Sequence, residues 1–325
     1  MKRSRIIIFI VLILLLTLAV CSCRRSEEKQ TEPIYYTVTF DSAGGSAVES
    51  VKVVEGGKIS LPTEPNRDGY IFDGWKKNGG SEWDFENDTV KSDVTLKASW
   101  IDASTVFGYL TVEGSDGIVI SSLKSEYSKT VCVPSIINGL RVIGINDSVF
   151  EGKSSETIKK IIVPEGIGYI GANAFKNCVG IEIVIEGALT KVGEAAFYGC
   201  DGLKSVSFGE GLTEISVEAF SGCTALTEVR FPSTLVKIGE NAFEDCIALK
   251  FIVMHDAARL SNGAFIGCDS LVTVFFYGTE ESFDSVFEDE NGNGAVAEAK
   301  LYLYSAQEQS GCWYMDEKGK IKLWK

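Results

Sequence analysis

Histidine is almost missing from this chain of 325 residues; His255 is the single copy. Proline is scarce at six, and basic residues are outnumbered, 31 Lys and Arg against 45 Asp and Glu. Each shortage removes a class of function. With no second histidine, Ser-His-Asp chemistry would rest wholly on one position. Few prolines beside 33 glycines describe a turn-rich globular chain, neither collagenous nor wholly disordered. A formal charge of −14 repels polyanions and argues against nucleic acid as the main partner. It favours solubility and partners that carry basic patches. A long apolar run occurs once, Ile6 to Val20, interrupted only by Thr17. As a helix this run spans roughly 22 Å, short of the roughly 30 Å hydrocarbon core of a bilayer.

That run has the setting of a secretory signal peptide: Lys2, Arg3 and Arg5 before it, small residues after it. It closes on Leu18-Ala19-Val20-Cys21-Ser22-Cys23, which resembles a bacterial lipobox, in which the new N-terminal cysteine receives diacylglycerol. Cys23, preceded by the small Ser22, is the expected lipidation site. Cys21, with Leu18 three places back, is the alternative. Arg24-Arg25 directly after the run also fit an uncleaved signal anchor. On either reading the body lies outside the cytoplasm, anchored at the cell surface or outer envelope. Removal of residues 1–23 takes away three cations and no acid, leaving a formal charge of −17. Residues 24–34, charged and polar, read as a flexible tether.

Residues 35–101 read as a small β domain. Tyr36, Val38 and Phe40 alternate with Thr37 and Thr39, the period of a half-buried strand. Turn residues Asp41 to Ser46 follow, then Val51 and Val53, an aromatic-rich strand around Tyr70 to Trp75, and a closing alternation of Val94, Leu96, Ala98 and Trp100. The strings YTVTFDSAGGS, GGKISLPTEP, GYIFDGW and DVTLKASW resemble the Listeria–Bacteroides repeat, or internalin B-repeat. The resemblance implies a β-grasp-like spacer module of cell-surface proteins.

The remainder is periodic. Ala-Phe recurs at Phe175, Phe197, Phe220, Phe243 and Phe265, with Cys178, Cys200, Cys223, Cys246 and Cys268 each three residues later. An aliphatic residue follows each Cys by three, and another precedes each Phe by five. The period is 22 or 23, and Val149-Phe150 opens the series without its cysteine. No such repeat buries its apolar residues alone, so neighbouring coils must stack into one core. The expected fold is therefore mainly β: a solenoid of 22–23-residue coils over 107–279, closed by a capping segment over 280–325. These repeats resemble the BspA-like leucine-rich repeats of the Treponema pallidum type. VCVPSIINGLRVIGINDSVF resembles an opening coil turning at Asn138-Gly139. LYLYSAQEQSGCWYMDEKGKIKLW resembles a closing segment whose Tyr302, Tyr304, Trp313, Tyr314 and Trp324 are expected to cover the open end of the core.

Other motifs yield to packing. Cysteines 22 or 23 apart do not make a zinc knuckle and are read as a reduced, buried ladder. Gly166-Ile167-Gly168-Tyr169-Ile170-Gly171 spells the dinucleotide fingerprint, but Gly171 shares its repeat position with Gly193 and Gly239, and no βαβ crossover follows. His255 beside Asp256 falls in a turn of the repeat register. Asp289-Glu290-Asn291-Gly292-Asn293-Gly294 opens like a calcium loop, but Lys300 stands where the bidentate glutamate must bind, so a polar loop is the expectation. No catalytic residue, metal or cofactor is assigned. The function expected is a surface lipoprotein whose solenoid binds a protein or glycan, host matrix proteins among the candidates, through outward positions such as Lys204, Ser207, Glu228 and Arg230. An envelope or assembly spacer without host ligand is the alternative.

Overall fold

A computed structural model describes residues 32–124, 129–287 and 292–324. The chain divides into two compact units, the first made of residues up to Thr39 with Ser50–Ser60 and Asp84–Val94, the second of all the rest.

In the first unit, strand β1 (Tyr35–Asp41) pairs antiparallel with β2 (Val51–Val54), Tyr36 opposite Val53. Backbone bonds from Gly56 to Val90 and from Val90 to Gly57 close the unit, and Asp93 accepts from the Thr37 amide at 2.7 Å. Val38, Ile59 and Val90 are its buried apolar residues.

The second unit opens with β3 (Tyr70–Lys76) antiparallel to β4 (Val94–Asp102), with a bulge between Phe72 and Trp75. The bulge turns the strand so that Trp75 meets both Phe40, at 4.8 Å, and Phe72, at 5.4 Å, each edge to face. Asp102 caps the short helix α1 (Ala103–Val106), and its carboxylate accepts from the Ser104 amide. Ala103, Val106 and Phe107 then join the core shared by all the coils that follow.

The coils stack one on the next, and three ladders run along the solenoid. The first is a wall of parallel strands, in which Ile161 lies beside Ile183 and Ile252 beside Val274. The second is a nine-stranded sheet ending in the two-residue strands Tyr169–Ile170, Lys191–Val192, Glu214–Ile215, Lys237–Ile238 and Arg259–Leu260. The third is the Ala-Phe corner, where each Phe amide donates to the Ala carbonyl of the next coil at 2.8 Å, from Phe150 to Phe243. The rings of Phe150, Phe175, Phe197, Phe220, Phe243 and Phe265 stack nearly parallel at 5.1 to 5.2 Å and are wholly buried. The architecture is the mainly β solenoid that the 22-or-23-residue period demands.

Tight corners need unusual backbone. Two residues before each Phe, and two after, the chain turns left-handed: Asn173, Ala195, Glu218, Asn241 and Gly263 on one side, Asn177, Gly199, Gly222, Asp245 and Gly267 on the other. At each end of the array the ladders stop differently. Asn138 and Gly139, both with positive φ, form the two-residue hairpin between Ile136–Ile137 and Leu140–Ile145 at the opening end.

Candidate binding surface

Parallel stacking puts alternate side chains of every wall strand on the outside, so the coils together build an extended surface. Over strands Ile158–Val163 and Glu182–Ile185 the outward residues are Lys160, Ile162, Glu182 and Val184, all half-buried. Glu182 lies 3.6 Å from both Lys160 and Lys204, an ion-pair row at the surface. Lys204 and Ser207 are exposed. In this coil only Ser207–Phe208 is strand. The bridge from Ile183 to Leu203 and the pairing of Leu189 with Phe208 fall short of the coil period, so register is lost and the wall breaks into three sheets.

The rear of the wall is covered. Its strands Glu228–Arg230, Phe251–His255, Thr273–Tyr277 and Lys300–Leu303 turn Val253, Phe275 and Tyr302 outward. Such an apolar face would be costly in water. The C-terminal hairpin, Trp313–Met315 with Ile321–Leu323, lies on it. Trp313 is wholly buried there, 5.4 Å from Phe275 and 4.7 Å from Tyr277. Arg230 donates to the Gly319 carbonyl and sits 3.5 Å from Glu228, so these two candidate contact residues are half-covered. Trp313 thus roofs the outer face and does not plug the open end, because the last strands leave aromatic side chains outside as well as inside.

The end itself is closed by the helix Glu280–Asp284, by Val286 just after it and by the helix Gly294–Glu298, which bring Phe283, Val286 and Val296 into the core. Leu260 donates to the Val286 carbonyl, which carries the second ladder one step further. Asn293 ends the third. Its Oδ1 accepts from the Phe265 amide at 3.2 Å, and its Nδ2 donates to the Ser261 carbonyl at 3.0 Å. A side-chain amide at 1% exposure here stands in for the peptide of a missing coil. Residues 288–291 of the calcium-like loop lie outside the described residues, while Asn293 is occupied by this capping. The strand Lys300–Leu303 pairs with Thr273–Tyr277.

The cysteine ladder has a definite hydrogen-bond role. Each thiol donates to the Phe carbonyl of the preceding coil: Cys178 to Phe150, Cys200 to Phe175, Cys223 to Phe197, Cys246 to Phe220 and Cys268 to Phe243, at 3.0 to 3.3 Å. All five are buried and free of disulfides, and burial pushes the Cys223 thiol far up from its ordinary pKa. The glycines of the false dinucleotide motif are explained by the same stacking. A Cβ on Gly171 would lie 2.6 Å from the backbone of Asn146 and Asp147, and one on Gly193 2.5 Å from Ala172. His255 is not in a turn, but is the last residue of its strand, paired with Tyr277 because the partner strand runs five residues. It is half-buried and stacked on Tyr277 at 4.4 Å. Burial holds its imidazole below the ordinary value, opposed by Glu210 and Asp256. Cys21 and Cys23 lie outside the described residues. Among the described residues, no group of three or more His, Cys, Asp or Glu gathers in metal-binding geometry, and no helix is long and apolar enough to cross a membrane.

Sequence reading missed one feature. Within the second unit, a cavity of about 380 Å³ opens between the Thr63–Arg67 segment, Tyr70, Phe72 and Trp100 on one side and Cys132–Ser135, Lys160 and Ile162 on the other. Its walls come from positions far apart in the chain, and nothing in their spacing announces it.

Comparison with known proteins agrees with this architecture. Residues 143–272 match the model of the BspA type leucine rich repeat region in six copies, and residues 36–99 match the Listeria-Bacteroides repeat domain. A putative membrane protein of Evansella cellulosilytica is 37% identical over 103 residues, covering 31% of this chain and 15% of its own length. Internalin H of Listeria monocytogenes is 37% identical over 92 residues, covering 27% of this chain and 16% of its own. This chain therefore spans only a small part of those relatives. A leucine rich repeat protein of T. pallidum superposes with a TM-score of 0.48 at 25% identity, over 58% of this chain and 96% of that one. The solenoid thus carries six copies of a repeat that matches the BspA type leucine rich repeat, preceded by a segment that matches the Listeria-Bacteroides repeat domain.

Proposed function

We propose that this chain is a non-enzymatic adhesion or binding protein of the bacterial cell surface, held to the membrane by lipid on Cys23, or on Cys21, and engaging a protein ligand through its solenoid. The observation that carries the reading is the open front of the strand wall, where the ion-paired row of Lys160, Glu182 and Lys204 lies beside the half-exposed Val184, with Ser207 exposed on the next sheet. Its mixture of charge with aliphatic surface suits a macromolecular contact. The rear, roofed by Trp313, offers no comparable face.

The full chain in detergent micelles, immobilised and exposed to matrix proteins and cell-wall glycans, should bind a protein saturably. Val184→Asp should weaken that binding at least about tenfold with unchanged thermal unfolding. Absence of saturable binding to every protein offered sinks the reading. Retention on envelope proteins alone would select a spacer role. Lipid attachment is checked by metabolic labelling with an alkynyl fatty acid: Cys23→Ala should abolish the label, and its persistence together with loss in Cys21→Ala would move the site.

A further inference from the structure

The cavity beside Arg67 has the parts of a built site. The Arg67 guanidinium lies 3.8 Å over the Tyr70 ring and 5.9 Å from the centre of the Trp100 ring. Gly44, with φ +93°, passes along its other side, where a Cβ would come 3.6 Å from the Arg67 Nε. Trp100 is itself fixed by an indole hydrogen bond to the Ser42 carbonyl at 2.9 Å. Stacking holds the planar fork in place, yet among the described residues the Arg67 guanidinium makes no hydrogen bond or ion pair, while its carbonyl accepts from the Tyr70 amide at 3.0 Å. A preorganised guanidinium with unused donors is suited to bidentate binding of a carboxylate.

Of the other charges around the cavity, Lys160 and Glu64 have partners. Lys160 is 3.6 Å from Glu182. Glu64 accepts from the Cys132 thiol at 3.7 Å, and that thiol, pushed up to about 12 chiefly by burial, keeps its proton at neutral pH. Glu186 stands on the rim, exposed. Between these groups the walls are apolar: Pro65, Tyr70, Phe72, Trp100, Val133, Pro134, Ile162 and Pro164 line the space, with Asn66 as the one side-chain amide. Polyhydroxylated ligands need many planar polar partners, and this cavity offers few. Its size falls within the roughly 300–1,000 Å³ of small-ligand clefts.

We propose that this cavity is a docking site for an acidic peptide segment of a protein partner, an Asp or Glu carboxylate resting on Arg67 and a neighbouring aromatic or aliphatic side chain on the walls of Phe72, Trp100 and Ile162. The inference rests on the protein-binding reading above and locates a second contact for it. The test uses the full chain in detergent micelles, titrated with the probe peptides Ac-Phe-Asp-Leu-NH2 and Ac-Phe-Asn-Leu-NH2 and with an oligogalacturonate, followed by NMR line shapes of each probe. The Asp peptide should saturate with at least tenfold higher affinity than its Asn analogue. Arg67→Gln should reduce it to the Asn level, and Arg67→Lys, which keeps the charge but loses the fork, should fall between. Equal affinity of the two peptides, indifference to Arg67→Gln, preference for the sugar acid, or no saturation up to about 10 mM would each overturn the site. If Val184→Asp abolishes adhesion while Arg67→Gln leaves both adhesion and peptide binding untouched, the cavity fails and the wall reading survives.

Discussion

Replacing Asn293 by alanine tests how the solenoid ends. The asparagine side chain is 1% exposed and satisfies two main-chain groups of the last repeat, the Phe265 amide and the Ser261 carbonyl. In every earlier corner the Phe amide is met by a backbone carbonyl from the following coil. Alanine leaves the Phe265 amide without a partner, while the Ser261 carbonyl loses one donor and keeps the Ala264 amide at 3.3 Å. A buried, unsatisfied polar group costs about 1–3 kcal/mol, so the substitution should destabilise the last coil by about 1–3 kcal/mol. Asn293→Asp keeps the acceptor but loses the donor and buries a charge, so it should not restore stability. The loss should be local, because coils contact only their neighbours. Hydrogen exchange should therefore speed at Phe265 and Cys268 while Phe175 and Phe197 stay protected. Calcium should change none of this, for Asn293, one of the loop's would-be ligands, is spent on the cap. A loss below about 0.5 kcal/mol, or stabilisation of the wild-type chain by calcium, would refute the reasoning.

Three further outcomes are expected. Phe220→Ala removes a ring stacked at 5.2 Å on Phe197 and 5.1 Å on Phe243, and should cost about 3–5 kcal/mol in urea unfolding, with exchange accelerated on both sides of its coil. Glu218 holds a left-handed backbone at φ 55°, so Glu218→Gly should stabilise by about 1 kcal/mol, seen as a higher Tm; a lower Tm would count against strain at these corners. His255 has a folded pKa below its ordinary 6.5, so its contribution is fully present above about pH 6.5 and is lost as pH falls through the folded value. Because it is the one histidine, His255→Phe should flatten the decline in Tm between neutral pH and about pH 5 without altering stability trends above pH 7.

The period of Ala-Phe-x-x-Cys by itself determined the solenoid, since residues repeating every 22 or 23 positions have no apolar partner except their own copies one coil away. The same spacing disposed of the zinc and dinucleotide motifs before any coordinates, because repeat position explained each residue better than chemistry did. What the spacing could not carry was anything made by one coil only. Whether Trp313 would plug the end or roof the wall depended on which faces of the last strands were left aromatic. The cap by Asn293 depended on a side chain imitating a peptide, and the length of the strand ending at His255 depended on its partner. The cavity beside Arg67 draws on segments from Thr63 to Glu186. Local sequence encodes a repeating contact many times over, whereas a contact made once, between distant segments, exists only after the chain has folded.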